Sequence, residues 1–210
     1  QRKNDNGSID HSNHTFNKDG VVCPETWFSS PIRPLFLLKE SYDKNDSEGN
    51  KYKFANLIEH IHNIINHNVT PSPCLKNVSL WADGLLSTTE ATIKPFSPHY
   101  KQKEITKVFK KIAIVNIKKS NGRPNSSYGN IKKYAEFDKE QLKREITLCD
   151  PTIIICGNTG YTLDTIFERD QNHSILSPKN DDWFYRITLN GHDVLILDYW
   201  HPAKRSPRIM

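Results

Sequence analysis

The 210-residue sequence is poor in sulfur and glycine, with four cysteines, one methionine and 9 glycines. Cys23, Cys74, Cys149 and Cys156 form no CxxC pair and are too sparse for a disulfide scaffold. A small secreted cystine framework is excluded, and reduced thiols in a cytoplasmic protein are expected. Long apolar runs are also missing: nothing approaches the roughly 18 residues needed to span a bilayer, and the first twenty residues lack the apolar core of a secretory signal. A membrane partner is therefore excluded. Ile9 and Phe16 stand alone among the polar residues of 1–20, too little apolar surface to offset the entropy of ordering. This stretch reads as a disordered leader before a single domain at 21–210.

A composition of 36% hydrophobic and 25% charged residues is enough for one sizeable soluble core. The formal charge is only +5, but it is unevenly placed: residues 101–150 carry 13 Lys and Arg against 6 Asp and Glu, while the rest of the chain holds more acid than base. A local basic surplus is the electrostatic footprint of a phosphate-rich partner, and also what lysines on a solvated helix face produce. For Lys132, Lys133, Lys139, Lys143 and Arg144 the helix face is the preferred reading.

Short continuous apolar runs at 34–39, 112–117 and 152–157 read as strands buried on both faces. Between the first two, Phe54, Leu57, Ile58, Ile61, Ile64 and Ile65 recur at helical spacing. His60 and His62 lie on that helix about 200° apart and share no ligand face. Residues 70–100 are rich in proline and read as loops with one short helix. Asp138 with Gln141 three residues on resembles a capping box that opens a helix to about residue 148, and a further helix is expected at 161–167. Asn190-Gly191 between two apolar runs is a hairpin signal. Strands alternating with helices predict an α/β fold, three layers α/β/α around a central, mostly parallel four-stranded sheet.

In such sheets ligands bind beyond the carboxyl ends of the strands. Those ends gather Glu40, Tyr42 and Asp43; Asn116, Lys118 and Lys119; Gly157, Asn158 and Thr159; and Trp200, His201 and Pro202. Each alone is an ordinary loop or turn residue; together they put a carboxylate, an amide and an imidazole on one edge.

Leu38-Lys39-Glu40-Ser41-Tyr42 resembles the water-activating Gly-Gln-Asp-Pro-Tyr motif of the uracil-DNA glycosylase superfamily. Val115-Asn116, followed by Asn125-Ser126-Ser127, resembles that superfamily's base-recognition strand and the stretch after it. Asp150-Pro151-Thr152 through Gly157 resembles its next strand. His201-Pro202-Ala203-Lys204-Arg205-Ser206 resembles its His-Pro-Ser-Pro-Leu-Ser motif, and the four stand in the family's order. Ser41 replaces the motif's proline, and Lys204-Arg205 replace its proline and leucine. The cysteine spacing of the iron–sulfur branches is missing, so no cofactor is implied.

The resemblance implies a monomeric, monofunctional DNA glycosylase that hydrolyses the N-glycosidic bond of a flipped uracil or modified pyrimidine, leaving an abasic site. Glu40 would orient water and stabilise the sugar cation, with Asp43 as the competing carboxylate or simply a cap, and His201 would donate to the departing base. Asn116 would read the base edge, Tyr42 would fill the space beside its C5 position, and Tyr52 or Phe54 would stack on it. Lys118, Lys119, Arg123, Ser126, Ser127, Lys204 and Arg205 would contact DNA phosphates. A catalytically silent DNA-binding module and a hydrolase of free nucleosides or nucleotides remain alternatives.

Overall fold

The structure is a computed structural model and describes residues 16–42, 44–45, 51–52, 56–95, 102–122, 127–167 and 184–203. In chain order they form β1 (Gly20–Val21), α1 (Pro24–Phe28), β2 (Pro34–Tyr42), β3 (Lys44–Asn45), β4 (Lys51–Tyr52), α2 (Leu57–His67), α3 (Pro73–Ser87) and α4 (Gln102–Phe109). There follow β5 (Ala113–Gly122), α5 (Tyr128–Phe137), α6 (Lys139–Cys149), β6 (Ile153–Gly157), a 3-10 turn at Gly160–Thr162, α7 (Leu163–Phe167), β7 (Phe184–Leu189) and β8 (His192–Tyr199). No helix among them is long and apolar enough to cross a membrane.

Apolar side chains at successive positions of one strand need cover on both faces, and they have it. Leu35, Leu37, Ala113, Val115 and Ile117 pack with Ile131, Tyr134, Leu142, Ile146 and Leu163 from α5, α6 and α7. Their sequence neighbours Phe36, Leu38, Ile112 and Ile114 pack instead with Ile61, Ile64, Val78 and Phe109 from α2, α3 and α4. The period-2 alternation of the strand thus feeds two cores, one per face.

The fold is α/β with a mixed six-stranded sheet in the order β1-β5-β2-β6-β8-β7. Strands β5, β2, β6 and β8 run parallel, and the outer β1 and β7 run antiparallel to their neighbours. The sequence reading expects a four-stranded sheet; the observed sheet has an antiparallel strand at each edge, and one of these, β7, is an arm of the expected hairpin. β1 is only two residues long and leaves no periodic trace. β7 is the outer arm of the hairpin, whose turn residues Asn190 (φ 51°) and Gly191 (φ 78°) both take the left-handed conformation a two-residue hairpin needs. Residues 16–20, expected at the end of a polar leader, run along the outside of β5: Phe16 bridges Ser120 and the Asn17 amide donates to the Lys119 carbonyl at 2.7 Å. Residues 1–15 lie outside the described residues.

The proline-rich 70–100 region holds the 15-residue α3 instead of loops with one short helix. Its prolines flank the helix: Pro73 occupies the first turn, where no backbone donor is needed, and Ser72 caps it by accepting from the Leu75 amide at 3.3 Å. Asp138 does stand before α6, but its side chain makes no capping hydrogen bond. At the other end of α6, Asp150 turns left-handed (φ 50°) and receives two bonds from Arg33, from Nε to its carbonyl at 2.6 Å and from Nη2 to Oδ2 at 2.8 Å.

Trp27 of α1 is fully buried, and its indole N–H donates to the Cys149 carbonyl at 2.7 Å. Trp27→Phe keeps most of the packing but strips that carbonyl of its donor. It is expected to destabilise the protein by about 1–3 kcal/mol in chemical denaturation; an unchanged midpoint at unchanged slope would show that the bond contributes nothing.

Candidate functional site

Chain reversal at β2 defines a crevice by topology alone. After β2 the chain leaves to the helices α2, α3 and α4, whereas after β5 and β6, its two neighbours, it leaves to α5, α6 and α7 on the other face. Adjacent strands whose connections depart to opposite faces leave a cleft between their carboxyl ends. The register there pairs Glu40 with Lys118.

Both strands run further than their apolar runs suggest, so Glu40, Lys118 and Lys119 are strand residues. The Lys118 ammonium forms an ion pair with Glu40 Oε2, and the two side chains are only 7% and 4% exposed. Lys118 also lies 5.3 Å from the centre of the Tyr134 ring. Gly122 lies directly against the Glu40 carboxylate, where any Cβ would collide with it. This end of the sheet therefore holds a fixed carboxylate, desolvated and oriented by its neighbours.

The ends of β6 and β8 build the second half. Gly157 lets the Pro202 ring approach, since a Cβ there would stand 3.0 Å from Pro202 Cδ and 2.7 Å from Leu38 Cδ2. Asn158 is left-handed (φ 58°), its amide donates to the Tyr199 carbonyl at 2.7 Å, and its Oδ1 accepts from the Tyr128 hydroxyl at 2.7 Å. The Thr159 hydroxyl donates to the Leu37 carbonyl at 2.7 Å, tying this turn to β2. Asn77 of α3 donates to the Pro202 carbonyl at 2.6 Å, so the loop after β8 is held from both sides. Lys39 extends over the Tyr128 ring, 4.9 Å from its centre.

His201 sits in this loop. Its Nδ1 accepts from the Ala203 amide at 3.1 Å. Burial first, and then the Lys39 charge, push its pKa down to about 4. At neutral pH the ring is uncharged, and with Nδ1 occupied as acceptor its proton belongs to Nε2. The imidazole is thus a neutral hydrogen-bond donor of fixed tautomer.

Asn116 and Lys119 belong to a different cluster. Asp19 Oδ2 accepts from the Asn116 backbone amide at 2.8 Å and from its Nδ2 at 3.0 Å, and Asn116 is 2% exposed. Lys119 Nζ lies 2.6 Å from Asp19 Oδ1 and 2.6 Å from Glu145 Oε2. The amide expected to read a base and both strand-end lysines expected at phosphates, Lys119 here and Lys118 with Glu40, are committed to internal carboxylates. Ser127, also expected at a phosphate, is exposed and caps α5 by accepting from the Asn130 amide at 3.2 Å.

Tyr42 ends β2 and Tyr52 lies in β4, and the description of both stops at the backbone. Asp43, Phe54, Arg123, Ser126, Lys204 and Arg205 lie outside the described residues. Sequence reasoning missed Asp19, Glu145 and Tyr128, which carry no local pattern: one follows a polar stretch, one lies on a helix with mixed charge, and one opens a helix from a loop-like segment. No protein-family model matches the chain, and no curated protein or solved structure is significantly similar to it.

Proposed function

We propose that the protein is a DNA glycosylase that hydrolyses the bond between deoxyribose and a flipped pyrimidine, uracil or a modified cytosine such as the hypermodified bases of phage DNA. One observation carries this reading: a neutral imidazole donor of fixed tautomer, His201, on the same sheet edge as a desolvated carboxylate, Glu40. The four parallel strands within the six support a uracil-DNA-glycosylase-like sheet, to which the edge strands are additions.

Breaking the glycosidic bond leaves positive charge on the sugar and negative charge on the departing base. Glu40 supplies negative charge to the first and orients water; the His201 Nε2–H supplies a hydrogen bond to the second. A neutral donor serves here because it stabilises the base anion without adding a second cation beside the carboxylate that Lys118 already pairs. At an effective dielectric of 20, one charge about 4 Å from its partner is worth roughly 4 kcal/mol, on the order of a thousandfold in rate. In this reading the enzyme acts on DNA as a monomer without a cofactor, and Asp43, Tyr42, Tyr52, Phe54, Arg123, Ser126, Lys204 and Arg205 complete the base pocket and the phosphate contacts.

A second reading has its own observation. Asn116 is buried against Asp19, which leaves the expected base reader occupied and favours a catalytically silent DNA-binding module on this fold. Mass spectrometry of bases released from uracil-containing duplexes, single strands and DNA with modified cytosine separates the two. Free base with a matching abasic site is the expected result. Salt-dependent binding with no base released from any DNA would select the silent module, and turnover of free nucleosides alone would select a nucleoside hydrolase.

A further inference from the structure

Lys39 stands apart from the other strand-end lysines. Lys118 is paired with Glu40, and Lys119 with Asp19 and Glu145, whereas Lys39 makes no ion pair among the described residues. It is half-buried at the end of β2, on the rim of the crevice. Its charge is therefore uncompensated where a ligand would enter.

The position of that charge is set by neighbouring side chains. Lys39 continues the strand face of Leu35 and Leu37, which α5 covers, and its ammonium lies 4.9 Å from the centre of the Tyr128 ring. The ring is itself fixed: its hydroxyl donates to Asn158 Oδ1 at 2.7 Å, and Tyr161 packs against it with ring centres 5.2 Å apart. An aromatic face holds a cation in place without neutralising it. The registers set Leu37 level with Cys156, and Cys156 level with Asp198, so the segments that carry Lys39, Asn158 and His201 leave the sheet side by side. Lys39 is close enough to His201 for its charge to oppose protonation of the imidazole. The same field acts with opposite sign on an anion: a position where a cation is disfavoured favours a negative group.

On the glycosylase reading, on which this inference rests, that anion is the departing base. The bond between the sugar carbon and the base nitrogen breaks with both electrons leaving on the base, water closes on the sugar carbon, and the proton shed by the water ends on the base. His201 offers the base anion a hydrogen bond but no net charge. We infer that Lys39 supplies the missing charge: its ammonium, positioned by Tyr128, stabilises the base anion that accepts from His201 Nε2. The site then selects pyrimidines that leave as anions over those that must be protonated before they leave, because an ammonium beside the base disfavours its protonation.

The test is single-turnover base release by the full chain from two duplexes alike except for the target base, uracil or 5-fluorouracil. The fluorinated base forms the more stable anion and needs less help from a counter-charge. Lys39→Met is expected to slow uracil release about thirtyfold and 5-fluorouracil release about fivefold, while Lys39→Arg, which keeps the charge, stays within about threefold of the wild type on both. Melting temperature, DNA affinity and its salt dependence are expected to be unchanged in both variants. Rates unchanged in Lys39→Met, or an equal loss on the two bases, overturn the inference. So does a loss confined to DNA affinity with a salt slope lowered by about 1, which would make Lys39 a phosphate contact. A wild type that releases modified cytosine but neither uracil base overturns the inference and keeps the glycosylase reading; one that releases no base from any DNA overturns both.

Discussion

His201→Ala is expected to lower base release by about a hundred- to a thousandfold, the usual effect of removing one hydrogen-bond donor from a developing anion, with little change in DNA affinity. The pH profile makes the prediction specific. An ordinary histidine protonates near 6.5, whereas burial and Lys39 push His201 down to about 4. The rate should therefore carry no histidine limb at 6.5 and should fall only as pH approaches about 4. The linkage to stability has the same sign. Between 6.5 and 4 the unfolded chain binds the proton and the folded chain does not, so His201 makes the fold less stable as pH drops through this window. Protonation at Nδ1 would also displace the Ala203 amide. Lys39→Met removes the second of the two causes, and the acid limb should move part of the way back toward 6.5. A limb at 6.5 in the wild type, or a His201→Ala rate within threefold of wild type, would sink the proposed role.

The second large effect concerns stability. Lys118→Met removes the ammonium paired with the Glu40 carboxylate beneath Gly122, and truncating one partner of a buried pair costs about 3–5 kcal/mol. For a domain whose total stability is about 5–15 kcal/mol this is a large fraction. Glu40→Gln combined with Lys118→Met removes both charges and should recover most of the loss, because burying the ion pair is itself expensive. A double-mutant cycle by denaturant titration measures the coupling. A single-variant cost under about 1 kcal/mol would mean that the pair behaves as a solvent-screened surface contact. The double variant also separates roles: on the glycosylase reading it folds but releases no base.

Much of the scaffold was legible without coordinates. The apolar runs at 34–39, 112–117 and 152–157 correspond to β2, β5 and β6, the periodic stripe to α2, and Asn190-Gly191 to the hairpin turn. These signals are local, since a strand covered on both faces must be apolar at every position and a two-residue turn must take positive φ. The 15 residues of α3 were obscured because prolines at its boundaries dominate the composition of the region. The extents of β2 and β5 were obscured because Glu40, Lys118 and Lys119 look like loop residues until each is seen to face a partner.

The site divides in the same way. Residue types and their order along the chain were enough to bring Glu40, Asn158 and His201 to one edge, because parallel strands joined by crossovers all end there. Which lysine meets which carboxylate depends on contacts such as Lys119 with Asp19, 100 residues apart, and Lys118 with Glu40, 78 apart. Those pairings follow from strand register and from the edge segment along β5, and no local pattern encodes either. From the sequence alone came an α/β chain with chemistry-bearing strand ends; only the tertiary structure decided which of those charges are buried in pairs, and it did so because a charge can leave water only where another part of the chain brings its counter-charge.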